Sequence, residues 1–174
     1  MAGPLRGSRP TVRRRRAGCV RRQRNTRKGY DRRVTPLPVS EYTLRRRANF
    51  YEVDQAGIVH FSNYYRYMEE AEYGLWRTAG VSLEPEGGHG FPRVAASFDF
   101  HAPLRFDEEF DVLLQVAAIG RTSLRYRCRI TREQRPIATG SMTLVCVSLP
   151  AMVPTPWPAT RLERIAVSAG ATES

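Results

Sequence analysis

The chain has 174 residues, 28 Lys and Arg against 17 Asp and Glu, a formal charge of +11 and 41% hydrophobic residues. That length suits one domain plus tails, that apolar share is enough for a core, and no apolar run approaches a membrane span. The charge is local: residues 1–33 hold 13 Lys and Arg against one acid, Asp31, while residues 34–174 hold 15 against 16, which removes the case for a basic nucleic-acid-binding domain.

Residues 1–38 are rich in Arg, Gly and Pro and lack hydrophobic periodicity, so a disordered basic tail is expected. Arg13–Arg16 has no apolar stretch behind it, which argues against a secretory signal. Its Arg-rich, acid-poor composition is compatible with a transit peptide, although it holds a single serine. The competing reading is translated upstream sequence, with a start at Val34 or Val39. The tail reads as a solvated arm rather than a nucleic-acid contact. An RNA-binding arm is the reading from a different class, and it requires salt-dependent affinity residing in the tail. Three cysteines (Cys19, Cys128, Cys146) show neither zinc spacing nor a disulfide framework, which fits buried thiols and the cytoplasm.

Residues 41–51 read as a first strand with Tyr42, Leu44, Ala48 and Phe50 on one side and Arg46 interrupting it. The stretch 50–80 follows: an acid (Asp54), a Gln55-Ala56-Gly57 turn, an apolar approach to His60-Phe61, and about four helical turns. Either Ser62 or Asn63 would N-cap that helix, and Gly80 would close it. Tyr64, Tyr67, Met68, Ala71 and Leu75 form one apolar stripe, with Arg66 and Glu70 spaced as a helical ion pair. Residues 84–90 read as a flexible loop, with Gly87–Gly90 as a candidate lid.

Four strand-like runs come next: Val94–Phe100, Phe110–Val116, Leu124–Ile130 with arginines 125, 127 and 129 on its other face, and residues 137–147. Short links at Gly120-Arg121 and 133–136 predict antiparallel hairpins among the last three. One early helix over an antiparallel sheet is an α+β layout, with a domain at 39–150. A Pro-rich extension, 151–174, carries a possible capping box at Thr160 and Glu163 before a short helix.

Asp54 precedes a helix whose first amides have no intrahelical partner. Those amides and the helix dipole favour a developing negative oxygen, and a carboxylate beside them suits attack on an acyl group. On residues alone, a turn-forming aspartate is the more economical reading of Asp54. The three histidines lack metal-ligand spacing, so no metal is expected.

The run Asp54-x-x-Gly57-Ile58-Val59-x-Phe61-x-Asn63-Tyr64, with Glu69 and Ala71, resembles hotdog-fold acyl-CoA thioesterases of the 4-hydroxybenzoyl-CoA and Tol-Pal-associated types. The likeness extends over residues 42–147. It implies an antiparallel sheet wrapped around one long central helix, and hydrolysis of an acyl-CoA thioester to free acid and CoA with no cofactor. An acyl-carrier-protein thioester, or a non-catalytic acyl-binding module, is the alternative. The resemblance puts Asp54 at the catalytic acid, as nucleophile or as base toward water. It puts the backbone amide of Phe61 at the thioester carbonyl, a donor worth about 3 kcal/mol in the transition state. His60 becomes pocket lining or, less readily, a base, and Tyr64 is a core residue bordering the acyl pocket. Arg121 and Ser123 fall where such enzymes contact the CoA nucleotide from a neighbouring subunit, or are a solvated hairpin. Glu52 reads as a solvated neighbour of Asp54. A homo-oligomer, dimer or homotetramer, is implied.

Overall fold

The computed structural model describes residues 37–81 and 87–171; the segment 1–36 with Cys19, and residues 84–86 of the Gly-rich loop, lie outside them. In chain order come β1 (Glu41–Arg47), α1 (Phe61–Thr78), β2 (His89–Gly90), β3 (Arg93–Phe100), β4 (Glu109–Ile119), β5 (Ser123–Arg132), β6 (Arg135–Val145), β7 (Val147–Ser148), β8 (Val153–Pro154) and a short α2 (Ala159–Leu162). Five strands form one antiparallel sheet in the order β1-β4-β5-β6-β3, and β2, β7 and β8 form a small second one. Helix α1 packs on β1 and β4, the hotdog arrangement.

The helix lies on the sheet because its stripe matches the sheet's inward rows. Tyr64, Tyr67, Met68, Ala71 and Leu75 are buried, and so are Phe110, Val112, Leu114 and Val116 of β4 and Leu124, Tyr126, Cys128 and Ile130 of β5. Strand β1 comes close to the helix at Gly74, where an added Cβ would stand 2.2 Å from the Tyr42 ring. The helix ends as its glycine predicts. Gly80 has φ +72, its N–H donates to Arg77 O, and Val81 N–H donates to Trp76 O at 2.9 Å. The β5–β6 hairpin turns on Glu133 and Gln134, both at positive φ, which matches the twist of the strands.

Several local expectations are corrected. Strand β1 stops at Arg47; a 3-10 turn at Phe50–Glu52 leaves Phe50 75% exposed and turns Glu52 inward, to 5% exposed. Glu52 is therefore no solvated neighbour. Glu70 pairs with Arg46 of β1 at 2.5 Å rather than with Arg66, because Arg46 lies under the helix with its guanidinium 4.8 Å from the centre of the Tyr67 ring. The helix N-cap is His60, not Ser62 or Asn63. Residues 87–90 are held: His89 and Gly90 pair with Ser148 and Val147, and Leu149 N–H donates to Gly88 O at 2.6 Å. Thr160 lies inside α2, whose N-cap position is Pro158 with no side-chain cap, so the predicted capping box does not form.

Of the buried Glu and Arg side chains among the described residues, Glu72 is the most enclosed. Glu72 of α1 is 0% exposed; its Oε2 meets Arg93 of β3 at 2.5 Å, and its Oε1 has no partner among the described residues. Beside it, Trp76 Nε1 donates to the Tyr126 hydroxyl at 2.8 Å. Burial pushes Glu72 up to about 7 against the opposing pull of Arg93. With the folded value above the ordinary 4.5, the folded state keeps a proton that the unfolded state has already released. Stability is therefore lost as pH rises between those two values and is level above them. Glu72→Gln removes this dependence. Urea unfolding at about pH 5 and about pH 8 should show the variant gaining on the wild type by on the order of 2 kcal/mol. Parallel curves at both pH values would refute it.

Candidate active site

Asp54 opens a tight loop that the backbone closes on itself. Asp54 N–H donates to Ile58 O at 2.9 Å, and Gly57 N–H donates to Asp54 O at 2.9 Å. Gly57 sits at φ +71, a conformation that costs a side-chain-bearing residue about 1 kcal/mol or more. Ala56 N–H donates to Asp54 Oδ1 at 2.8 Å, so the turn-forming role holds. It engages only one carboxylate oxygen; Oδ2 has no partner among the described residues. The loop is anchored by the Val53–Val59 and Ile58–Arg105 bridges and by Val59 N–H to Leu104 O at 2.8 Å.

The start of α1 is held from Glu52. Its carbonyl accepts from His60 N–H at 2.9 Å and from Asn63 Nδ2 at 2.8 Å. Its carboxylate accepts from Asn49 N–H at 2.7 Å and from Arg46 Nη2 at 3.1 Å. His60 Nδ1 accepts from Ser62 N–H at 3.4 Å and lies 2.9 Å from Ser62 Oγ; Asn63 N–H donates to His60 O at 3.0 Å. The amides on either side of Phe61 are thus engaged. That of Phe61 itself makes no hydrogen bond among the described residues.

Asp54 and Phe61 line one cleft of about 590 Å³, with Ile58, Val59, Tyr64 and Phe100 among its walls. The Tyr64 ring meets Phe100 edge to face at 4.9 Å between centroids, and burial pushes its phenol up. Such walls lower the local dielectric and strengthen any charge–dipole interaction inside. His60 is not a lining residue: its ring is turned back onto the helix cap and against Phe61. Arg121 and Ser123 sit at the β4–β5 hairpin, where Gly120 N–H donates to Ser123 O at 2.8 Å, away from this subunit's cleft. His101, which has no motif around it in the sequence, lines the cleft.

The thioesterase-like superfamily model matches residues 48–165, more than half of the chain and all of this site. The chain belongs to the thioesterase-like superfamily. That makes it a thioester hydrolase, built as its relatives are. A 1,4-dihydroxy-2-naphthoyl-CoA hydrolase of Synechococcus elongatus is 26% identical over 113 residues, 63% of this chain and 83% of that one. A gentisyl-coenzyme A thioesterase structure superposes with a TM-score of 0.65 at 26% identity, covering 71% of this chain and 99% of the other. A 1,4-dihydroxy-2-naphthoyl-CoA thioesterase from Synechocystis gives a TM-score of 0.69 at 24% identity, over 72% and 95% of the two chains, a likeness of fold. The family match reaches the superfamily; these relatives carry names other than the 4-hydroxybenzoyl-CoA and Tol-Pal-associated types of the sequence resemblance.

Among the described residues no group of His, Cys, Asp or Glu is placed to hold a metal ion, and no helix is long and apolar enough to cross a membrane. In this thioesterase-like chain the junction at Glu52 sets both the loop and the helix start. Glu52→Ala leaves Arg46 under the helix with Glu70 alone, and should cost about 3 kcal/mol in urea unfolding. A loss below about 1 kcal/mol would show the pair to be dispensable.

Proposed function

We propose that the protein hydrolyses an aromatic, hydroxyl-bearing acyl-CoA thioester to the free acid and CoA. Asp54 supplies the carboxylate and the Phe61 amide receives the oxyanion. The observation that supports this reading is that one cleft is lined both by Asp54, whose Oδ2 has no partner among the described residues, and by Phe61, whose helix-start amide has none either. The aromatic walls and the hydroxyaryl-CoA names of two relatives support the substrate class.

Two routes balance. In one, Asp54 Oδ2 adds to the thioester carbonyl carbon, the carbonyl oxygen accepts a hydrogen bond from the Phe61 N–H, and CoA leaves as thiolate; water then opens the acyl–aspartyl anhydride, restoring the Asp54 carboxylate and releasing the acid, and a proton of that water ends on the thiolate. In the other, Asp54 takes a proton from water as that water's oxygen attacks, and the proton passes to the departing thiolate. Neither route asks for a cofactor beyond the CoA part of the substrate.

The proposal includes a second copy of the chain. Among the described residues β3 pairs only with β6, which leaves its other edge unpaired, and Val94 at 59% and Phe100 at 49% are exposed on this outer strand, a surface that sheet proteins cover. Phe100 also lines the cleft, so pairing along β3 would close the site; Arg121 and Ser123 would then serve a neighbour's CoA. The cytoplasm is the compartment we propose, supported by the free buried thiols of Cys128 and Cys146.

Asp54→Asn should lower turnover about 10²–10⁴-fold in a thiol-release assay. Full turnover by this variant on every acyl-CoA the wild type hydrolyses would end the assignment. The amide is tested separately. Phe61 is the first helical residue, where proline is tolerated, and His60 at φ −61, ψ 136 already has the extended backbone that precedes proline. Phe61→Pro should reduce kcat about 10²–10³-fold relative to Phe61→Ala, which also lacks the ring but keeps the N–H. Equal rates for the two variants would remove the amide from the mechanism.

A further inference from the structure

The cleft holds a second polar side chain that the chemistry above does not use. His101 follows β3 directly, and its backbone is fixed by N–H donation to Ile137 O at 2.8 Å, with Ala102 N–H reaching the same oxygen at 3.1 Å. Its ring is fixed as well: Nε2 lies 2.9 Å from Thr139 Oγ1 of β6. Nδ1 has no partner among the described residues. His60 contrasts with this, since its Nδ1 is spent on the helix cap.

An imidazole tethered at backbone and Nε2 has one free hydrogen-bonding atom and little freedom to move it. Whether Thr139 donates to Nε2 or accepts from it decides whether Nδ1 is a donor or an acceptor, and a hydroxyl can satisfy either. The other walls include Ile58, Val59, Phe61, Tyr64 and Phe100, and Asp54 is committed to the thioester. For a flat acyl ring between these walls, His101 Nδ1 is a polar side-chain atom without a partner among the described residues, available to recognise a polar substituent.

We infer that His101 is the specificity-determining residue for the acyl group, its Nδ1 hydrogen-bonding a ring hydroxyl, with Thr139 as the positioning residue behind it. This rests on the thioesterase reading proposed above. A site built to bond a hydroxyl discriminates against the analogue that lacks it, because the site's polar atom is then left unpaired.

The test is thiol release by the full chain from benzoyl-CoA and from the three monohydroxybenzoyl-CoA isomers, read as ratios of kcat/KM. The wild type should favour at least one isomer over benzoyl-CoA by about tenfold. His101→Phe should bring that ratio to about 1, and His101→Asn, whose amide nitrogen stands near the place of Nδ1, should retain most of it. Thr139→Val, which keeps the imidazole and releases Nε2, should lower the ratio about threefold. Damage to the fold lowers both rates together and leaves a ratio alone, and if His101→Phe does not fold, the Thr139→Val ratio decides. An unchanged ratio in His101→Phe, or in Thr139→Val where that decides, overturns the inference. So does a wild-type enzyme that hydrolyses all four thioesters equally, and in that case the thioesterase reading stands. A wild type that hydrolyses no acyl-CoA removes both.

Discussion

A buried glutamate ties the first strand, the Asp54 loop and the central helix together. Glu52 gives its carboxylate to Arg46 and to the amide of Asn49, and its carbonyl to His60 and Asn63. A carboxylate this deeply buried is tolerated only when its acceptor sites are filled, and here Arg46 Nη2 and the amide and Nδ2 of Asn49 fill them. The consequence is a fixed chain path on both sides of Asp54. Without that junction, the loop and the helix start would be two mobile pieces rather than one site.

The arrangement at the helix start follows from accounting for its amides. A helix leaves its first N–H groups unpaired, and proteins usually engage them with side-chain caps. His60 does so for Ser62, and the turn through His60 O does so for Asn63, which leaves the N–H of Phe61, a residue of the cleft wall, without a partner among the described residues. The Asx turn at Asp54 and a chemical role are compatible for a related reason. The turn uses one oxygen and thereby orients the other.

The two outer strands of the sheet, β1 and β3, differ in what lies beside them. Just before β1, Val39 bridges to Ile165, so the C-terminal segment meets that edge at its start. Strand β3 has no such cover among the described residues, and its aromatics Phe98 and Phe100 meet Tyr64 and Tyr65 of the helix beside the cleft. An open edge beside a candidate site is where a second chain would complete both.

Periodicity alone determined the helix stripe from Tyr64 to Leu75 and the inward rows of β4 and β5, because each reports burial on one face of a local element, and the short links determined both hairpins. The spacing from Asp54 to Tyr64 was likewise legible, since loop and helix start are adjacent in the chain. Only tertiary structure decided the rest. Glu52 read as a solvated charge and Arg46 as a break in an apolar strand face until a strand and a helix enclosed them, and Glu70 found its partner on β1 instead of on its own helix. His101 reaches the cleft because the sheet order places the end of β3 beside β6 and beneath the Asp54 loop, a juxtaposition of distant segments that no local pattern encodes.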